Sequence, residues 1–183
     1  MTAFSTRLRY GAVAQSLHWL TAILVVTAYT FSLGGNELRV YSPAGDFDRQ
    51  LHESLGLSVL GIVLLRLLWR AFDARPEDAP MPHWMRLLSK ATHGLLYALL
   101  LGVPLTAIAG AWLEGHPVTL LGSVAIGPFL APAHDLGQSI ASIHTWLGDA
   151  ILWVAGLHAA AALYHHFILK DRVLLSMLPR RGS

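Results

Sequence analysis

Residues 144–168 read HTWLGDAILWVAGLHAAAALYHHFI. A helix needs about 20 apolar residues to cross a hydrocarbon core of about 30 Å, and this stretch is long enough. It also carries His144, His158, His165 and His166. A strongly polar side chain inside a span is costly to bury in lipid, so its first meaning is functional. His158 lies fourteen residues after His144. On an α-helix that spacing is a rise of about 21 Å and a return to within about 40° of the starting face. The two rings therefore point the same way from two depths.

The rest of the chain supplies partners at both depths. Of its 183 residues 54% are hydrophobic and 13% charged, against roughly 25% charged in a soluble domain. One soluble core of this length cannot hide that much apolar surface, so the class is integral membrane protein. Three further spans fall over residues 15–33, 53–72 and 91–113, with Pro104 expected to kink the third. Residues 115–133 are also apolar, but Pro117, Gly122, Gly127, Pro128 and Pro132 break them into turns. They read as an outer loop or re-entrant cap that shields a cofactor.

Charge sets the orientation. Arg7 and Arg9 precede the first span, Arg70, Arg75, Arg86 and Lys90 lie between the second and third, and Lys170, Arg172, Arg180 and Arg181 follow the fourth. The other loops, 34–51 and 114–143, hold only Arg39 and Arg49 beside Glu37, Asp46, Asp48, Glu114 and Asp135. By the positive-inside rule, four spans with both termini cytoplasmic satisfy every segment, whereas five would put the basic tail outside. No small-x-small cleavage site follows the first apolar run cleanly, so it reads as a retained helix. No repeat or separate soluble domain interrupts residues 1–183, and no nucleic-acid partner is expected.

With no cysteine, disulfides, iron–sulfur ligation, zinc thiolates and covalent c-type haem are excluded. Among the ten histidines, His18 matches His158 at the inner depth and His52 matches His144 at the outer. Two axial pairs, one near each face, are what two bis-histidine b-type haems need. Gly56 and Gly148 each follow an outer histidine by one turn on its own face and leave room for a porphyrin, or simply ease helix packing. Arg66, fourteen residues after His52, reaches the inner depth, where it pairs with a haem propionate or snorkels to the interface. His165 is placed to meet a quinone carbonyl or a propionate, or to stand idle at the interface. His93 is a quinone or propionate contact rather than a fifth ligand. His166 reads as interfacial, and His83, His116 and His134 as solvated loop residues. Trp19, Trp84, Trp112, Trp146 and Tyr164 read as interfacial belt.

Several motifs now resemble a known family. Ser16-Leu-His18-Trp19-Leu and His52-Glu-Ser-Leu-Gly56 are two of them. The most specific runs from Gly156-Leu-His158 through Tyr164-His165-His166-Phe to Lys170-Asp171 and Met177-Leu-Pro179-Arg180. Over essentially its whole length the chain is similar to the bacterial cytochrome b561 family of superoxide oxidase type. That resemblance implies an all-α bundle of four transmembrane helices around two stacked b-type haems in the bacterial inner membrane. It puts His18, His52, His144 and His158 on the family's haem-ligand positions. It also implies that superoxide is oxidised at the periplasmic face and ubiquinone reduced to ubiquinol, with His165, His93 and Lys90 at the inner quinone site. In one respect the sequence departs from this type: the loop between the third and fourth spans has no Lys or Arg to draw in an anion. An electron-transfer subunit serving a partner protein is the alternative. A non-redox transporter or scaffold is a third class, which an absorption spectrum without Soret and α bands would identify.

Overall fold

The computed structural model describes residues 2–6, 8–32, 46–74, 76–77, 79–122 and 124–179. Arg7, Arg39, Arg75, Arg180 and Arg181, used above to orient the chain, lie outside these residues. Four helices dominate: α1 (Ala12–Thr30), α2 (Asp46–Phe72), α3 (His83–Leu113) and α4 (His134–Tyr164). Each is long and apolar enough to cross a membrane. A π-helical turn, His165–Leu169, prolongs α4, and a short α5 (Val173–Met177) follows.

Three of the helices start well before their expected spans. α2 begins at Asp46, where Asp46 and Asp48 in the first turn complement the helix dipole. α3 starts at His83 directly after Pro82, a residue that cannot itself prolong a helix upstream. α4 begins at His134, so His144 sits ten residues inside the helix rather than at its start. His83 and His134 are accordingly helical, not in loops. The expected boundaries marked where hydrophobicity begins, but a helix continues past the hydrocarbon as long as its backbone can pair. Residues 115–133 are not a span. They contain a hairpin of β1 (Val118–Leu120) and β2 (Val124–Ile126), antiparallel with Thr119 opposite Ala125.

α1 packs along α2 and α3 along α4, and α2 joins α3 to complete the bundle. Near the hairpin, Gly110 and Gly137 let α3 and α4 approach closely: a Cβ on Gly110 would press on the backbone of Ala141 and Gly137. The core itself is small, comprising Val59, Val63, Leu99, Leu100 and Ile151. Trp112 is not a free belt residue. Its indole donates to the Ile126 carbonyl at 3.0 Å, and its ring occupies the space a side chain on Gly127 would need. At the opposite end the chain termini are woven together: Gln15 Nε2 donates to the Ser176 carbonyl at 3.1 Å and Trp19 Nε1 to that of Met177 at 2.9 Å. Below, the two ends are called the hairpin end and the termini end.

Candidate functional site

At the hairpin end α2 presents His52 and α4 presents His144, with ring centres 6.1 Å apart. At the termini end α1 presents His18 and α4 presents His158, with centres 6.4 Å apart. A metal–imidazole bond of about 2 Å puts the ring centre about 3 Å from the metal, so two imidazoles flanking one ion stand about 6 Å apart. Both pairs have that spacing. Gly56 and Gly148 add room, since a Cβ at either would meet no atom within 4 Å. The residues present therefore fit a bis-histidine haem at each level.

The pairs are braced differently. His52 Nδ1 donates to the Ala28 carbonyl at 2.8 Å. Ala28 lies in the last turn of α1, where carbonyls have no partner within the helix, so the bond satisfies both groups. His144 Nδ1 donates to the Val103 carbonyl, also at 2.8 Å. Val103 lies inside α3, and its carbonyl also accepts from Thr106 Oγ1 at 2.9 Å. A carbonyl can only accept, so each ring carries its proton on Nδ1 and leaves Nε2 free to bind a metal.

The termini end uses side chains instead. Arg66 Nη2 donates to His18 Nδ1 at 3.0 Å. Its guanidinium lies 5.4 Å from the Tyr97 ring centre, and that of Arg70 5.6 Å. Arg66 thus reaches the expected depth, but its partner here is a histidine rather than an anion. His93 forms a third ring, 5.2 Å from His158, and its Nδ1 donates to the Ser89 carbonyl at 2.6 Å.

Lys90, one helical turn before His93, is exposed. His165 is half-buried in the π-turn and pairs through Nδ1 with Asp171 Oδ2 at 2.5 Å. The turn ends on Lys170 in a left-handed conformation, φ 53°. Asp171 Oδ1 then accepts from the Val173 N–H at 2.9 Å, so one carboxylate fixes both His165 and the start of α5. Asp171 has no role legible in the sequence, because only the turn brings it back to His165.

Glu53 and Ser54 were also missed. Glu53 follows His52 directly and accepts from the Thr119 N–H, while Ser54 Oγ accepts from the Leu121 N–H at 2.9 Å. The hairpin is therefore tied to α2 beside the His52–His144 pair. Glu53 also binds Arg49 at 3.0 Å, and Arg49 reaches Asp46 as well. Arg49 is the only cation described at this end, and two carboxylates engage it.

The model of prokaryotic cytochrome b561 matches residues 9–180. The chain belongs to that family. It is 30% identical to cytochrome b561 homolog 2 of Escherichia coli, over all of this chain and 98% of the relative. It is 31% identical to a probable superoxide oxidase of Yersinia pestis, over 94% and 97% of the two chains. A cytochrome b562 of Cereibacter sphaeroides is 32% identical over 94% and 96%. Membership makes this a haem b protein of membrane electron transfer.

Proposed function

We propose that the chain carries electrons across the bacterial inner membrane over two haems, with both termini cytoplasmic, and reduces ubiquinone to ubiquinol. One observation carries this reading: α4 supplies one member of each of two histidine pairs, both at metal-bridging spacing, about 21 Å apart along the helix. His52 and His144 hold the outer haem, and His18 and His158 the inner. Haem, when bound, supplies one-electron carriage. Charge supports the orientation, since Arg9, Arg70, Arg86, Lys90, Lys170 and Arg172 all belong to the termini end. At that end we assign His165 as the quinone contact, with His93, which stands by His158, and Lys90 as further candidates. Asp171 holds the ring by Nδ1, so a protonated His165 offers its Nε2–H to a quinone oxygen.

For the donor, likeness to the Yersinia relative supports superoxide. Two superoxide ions each give up one electron and leave as oxygen, and quinone takes two electrons and two protons. A partner redox protein is the second reading, and one observation favours it. The hairpin end carries Asp46, Asp48, Glu53, Glu114 and Asp135, against the doubly paired Arg49, a field that repels a small anion and attracts a basic partner. Purified oxidised protein mixed with pulsed superoxide separates the two. Haem reduction followed by quinol formation supports the first. Haems that stay oxidised under superoxide, yet are reduced by quinol or a partner protein, leave the second.

A further inference from the structure

α4 carries a carboxylate that the haem reading does not use. Asp149 lies five residues beyond His144 and nine before His158, hence between the two ligand levels and about 140° round the helix from His144. Among the described residues a single hydrogen bond engages it: the Tyr29 hydroxyl of α1 donates to Oδ1 at 2.9 Å. Oδ2 has no partner there. Asp149 is exposed, on a helix long and apolar enough to cross a membrane and five residues inside the apolar run that starts at His144. A carboxyl group so placed is costly unless something meets it.

Beside it is a cavity of about 390 Å³, lined by Tyr29, Asp149, Leu152, Trp153 and Gly156. It lies on the α1–α4 side of the bundle, where neither helix has the extensive packing that α1 makes with α2 and α4 with α3. Trp153 is 75% exposed and offers a flat apolar wall. A Cβ on Gly156 would meet no atom within 4 Å, so the floor is open.

We propose that this cavity binds the reduced, hydroquinone form of a membrane-soluble quinone, at a site separate from His165. The inference rests on the reading that the chain handles quinone. The volume is at the low end of small-molecule sites, about 300–1,000 Å³, and suits one substituted ring. Such a ring stacks on an indole face. The proton of Tyr29 is already committed to Oδ1, so with Asp149 ionised the open position at Oδ2 is an acceptor. A hydroquinone hydroxyl fills it; an oxidised ring presents only acceptors and leaves Oδ2 unmet, as an acyl chain does.

The test is calorimetric titration of the haem-loaded full-length protein in lipid nanodiscs. The probes are decylubiquinol with the haems reduced and decylubiquinone with the haems oxidised, so that no electrons exchange. Wild type should show two classes of decylubiquinol site. Asp149→Leu and Gly156→Leu should each weaken one class by about tenfold or more, while His165→Ala should weaken only the other. Decylubiquinone should bind the Asp149 class at least about tenfold more weakly than decylubiquinol. If Asp149→Leu loses its haems, Gly156→Leu decides, because it fills the cavity without touching the Tyr29–Asp149 bond. Wild-type isotherms in the Gly156→Leu variant overturn the proposal, as does equal affinity of this class for both redox forms. A single class that Gly156→Leu removes and His165→Ala does not would uphold it and overturn the His165 site instead.

Discussion

The two histidine pairs have nearly the same ring spacing and quite different support. At the hairpin end, main-chain carbonyls of Ala28 and Val103 hold both rings. These acceptors are fixed by helix geometry, so orientation and tautomer are set before any metal arrives. At the termini end, His18 is met by a long cationic side chain and His158 by a third imidazole. Those neighbours can move. The hairpin end is built as a fixed socket, and the termini end as one whose surroundings respond to what binds there.

The comparison breaks most visibly at the ligands themselves. His144→Ala should remove one haem and His158→Ala the other, each leaving one haem per chain by pyridine haemochrome assay. Two haems retained in either variant would refute the pairing. In His158→Ala the nearby His93 ring is the natural substitute, so partial retention there, with a shifted α band, would mark the termini end as the adaptable one. No equivalent third ring stands by His144 among the described residues.

Next in size is the quinone reaction. His165→Ala should slow quinone reduction about 100-fold or more, the range of a lost positioned acid–base group, with both haem spectra intact. Asp171→Asn should give a smaller loss, because it leaves the ring but removes the charge that orients it. Unchanged turnover in His165→Ala would sink the site.

A third test concerns the hairpin. Glu53→Gln removes the charge that holds the Thr119 N–H and Arg49, while the Ser54–Leu121 bond remains. Weakening these two charge-assisted contacts costs about 1–2 kcal/mol, so binding of exogenous imidazole at the hairpin-end haem should quicken about five- to thirtyfold. The termini-end haem should not respond. Equal response at both ends would mean that the hairpin does not guard this pair.

Much of this was legible in the sequence because helix periodicity converts spacing into depth and face. The histidine positions at 18, 52, 144 and 158 and the four apolar runs follow from that alone. What escaped depends on chain reversal or on backbone state. Ala28 is available because α1 ends beside it, and the Val103 carbonyl is met by His144 only once α3 and α4 pack; neither is marked as an acceptor in one dimension. Asp171 meets His165 only through a π-turn, and Glu53 meets Thr119 only once residues 118–126 fold as a hairpin. Asp149 was visible as a charge within a span, but its open cavity exists only between α1 and α4.

The smallest and most discriminating prediction concerns Arg66. For His18 to bind a metal through Nε2, its remaining proton belongs on Nδ1, and Arg66, which has no acceptor, must then release that nitrogen. The guanidinium stays near the ring, steadied by Tyr97, with a haem propionate as its natural new partner. In either position it is a cation beside a centre that gains negative charge on reduction, so it favours the reduced state. Coulomb's law at an effective dielectric of about 20 and about 8 Å gives roughly 2 kcal/mol, before solvent and propionate screening reduce it about twofold. Arg66→Leu should therefore lower the potential of the termini-end haem by about 50 mV, read by spectroelectrochemical titration, while the hairpin-end haem holds its value. A shift of both haems, or of neither, would show that the two ends are not tuned separately.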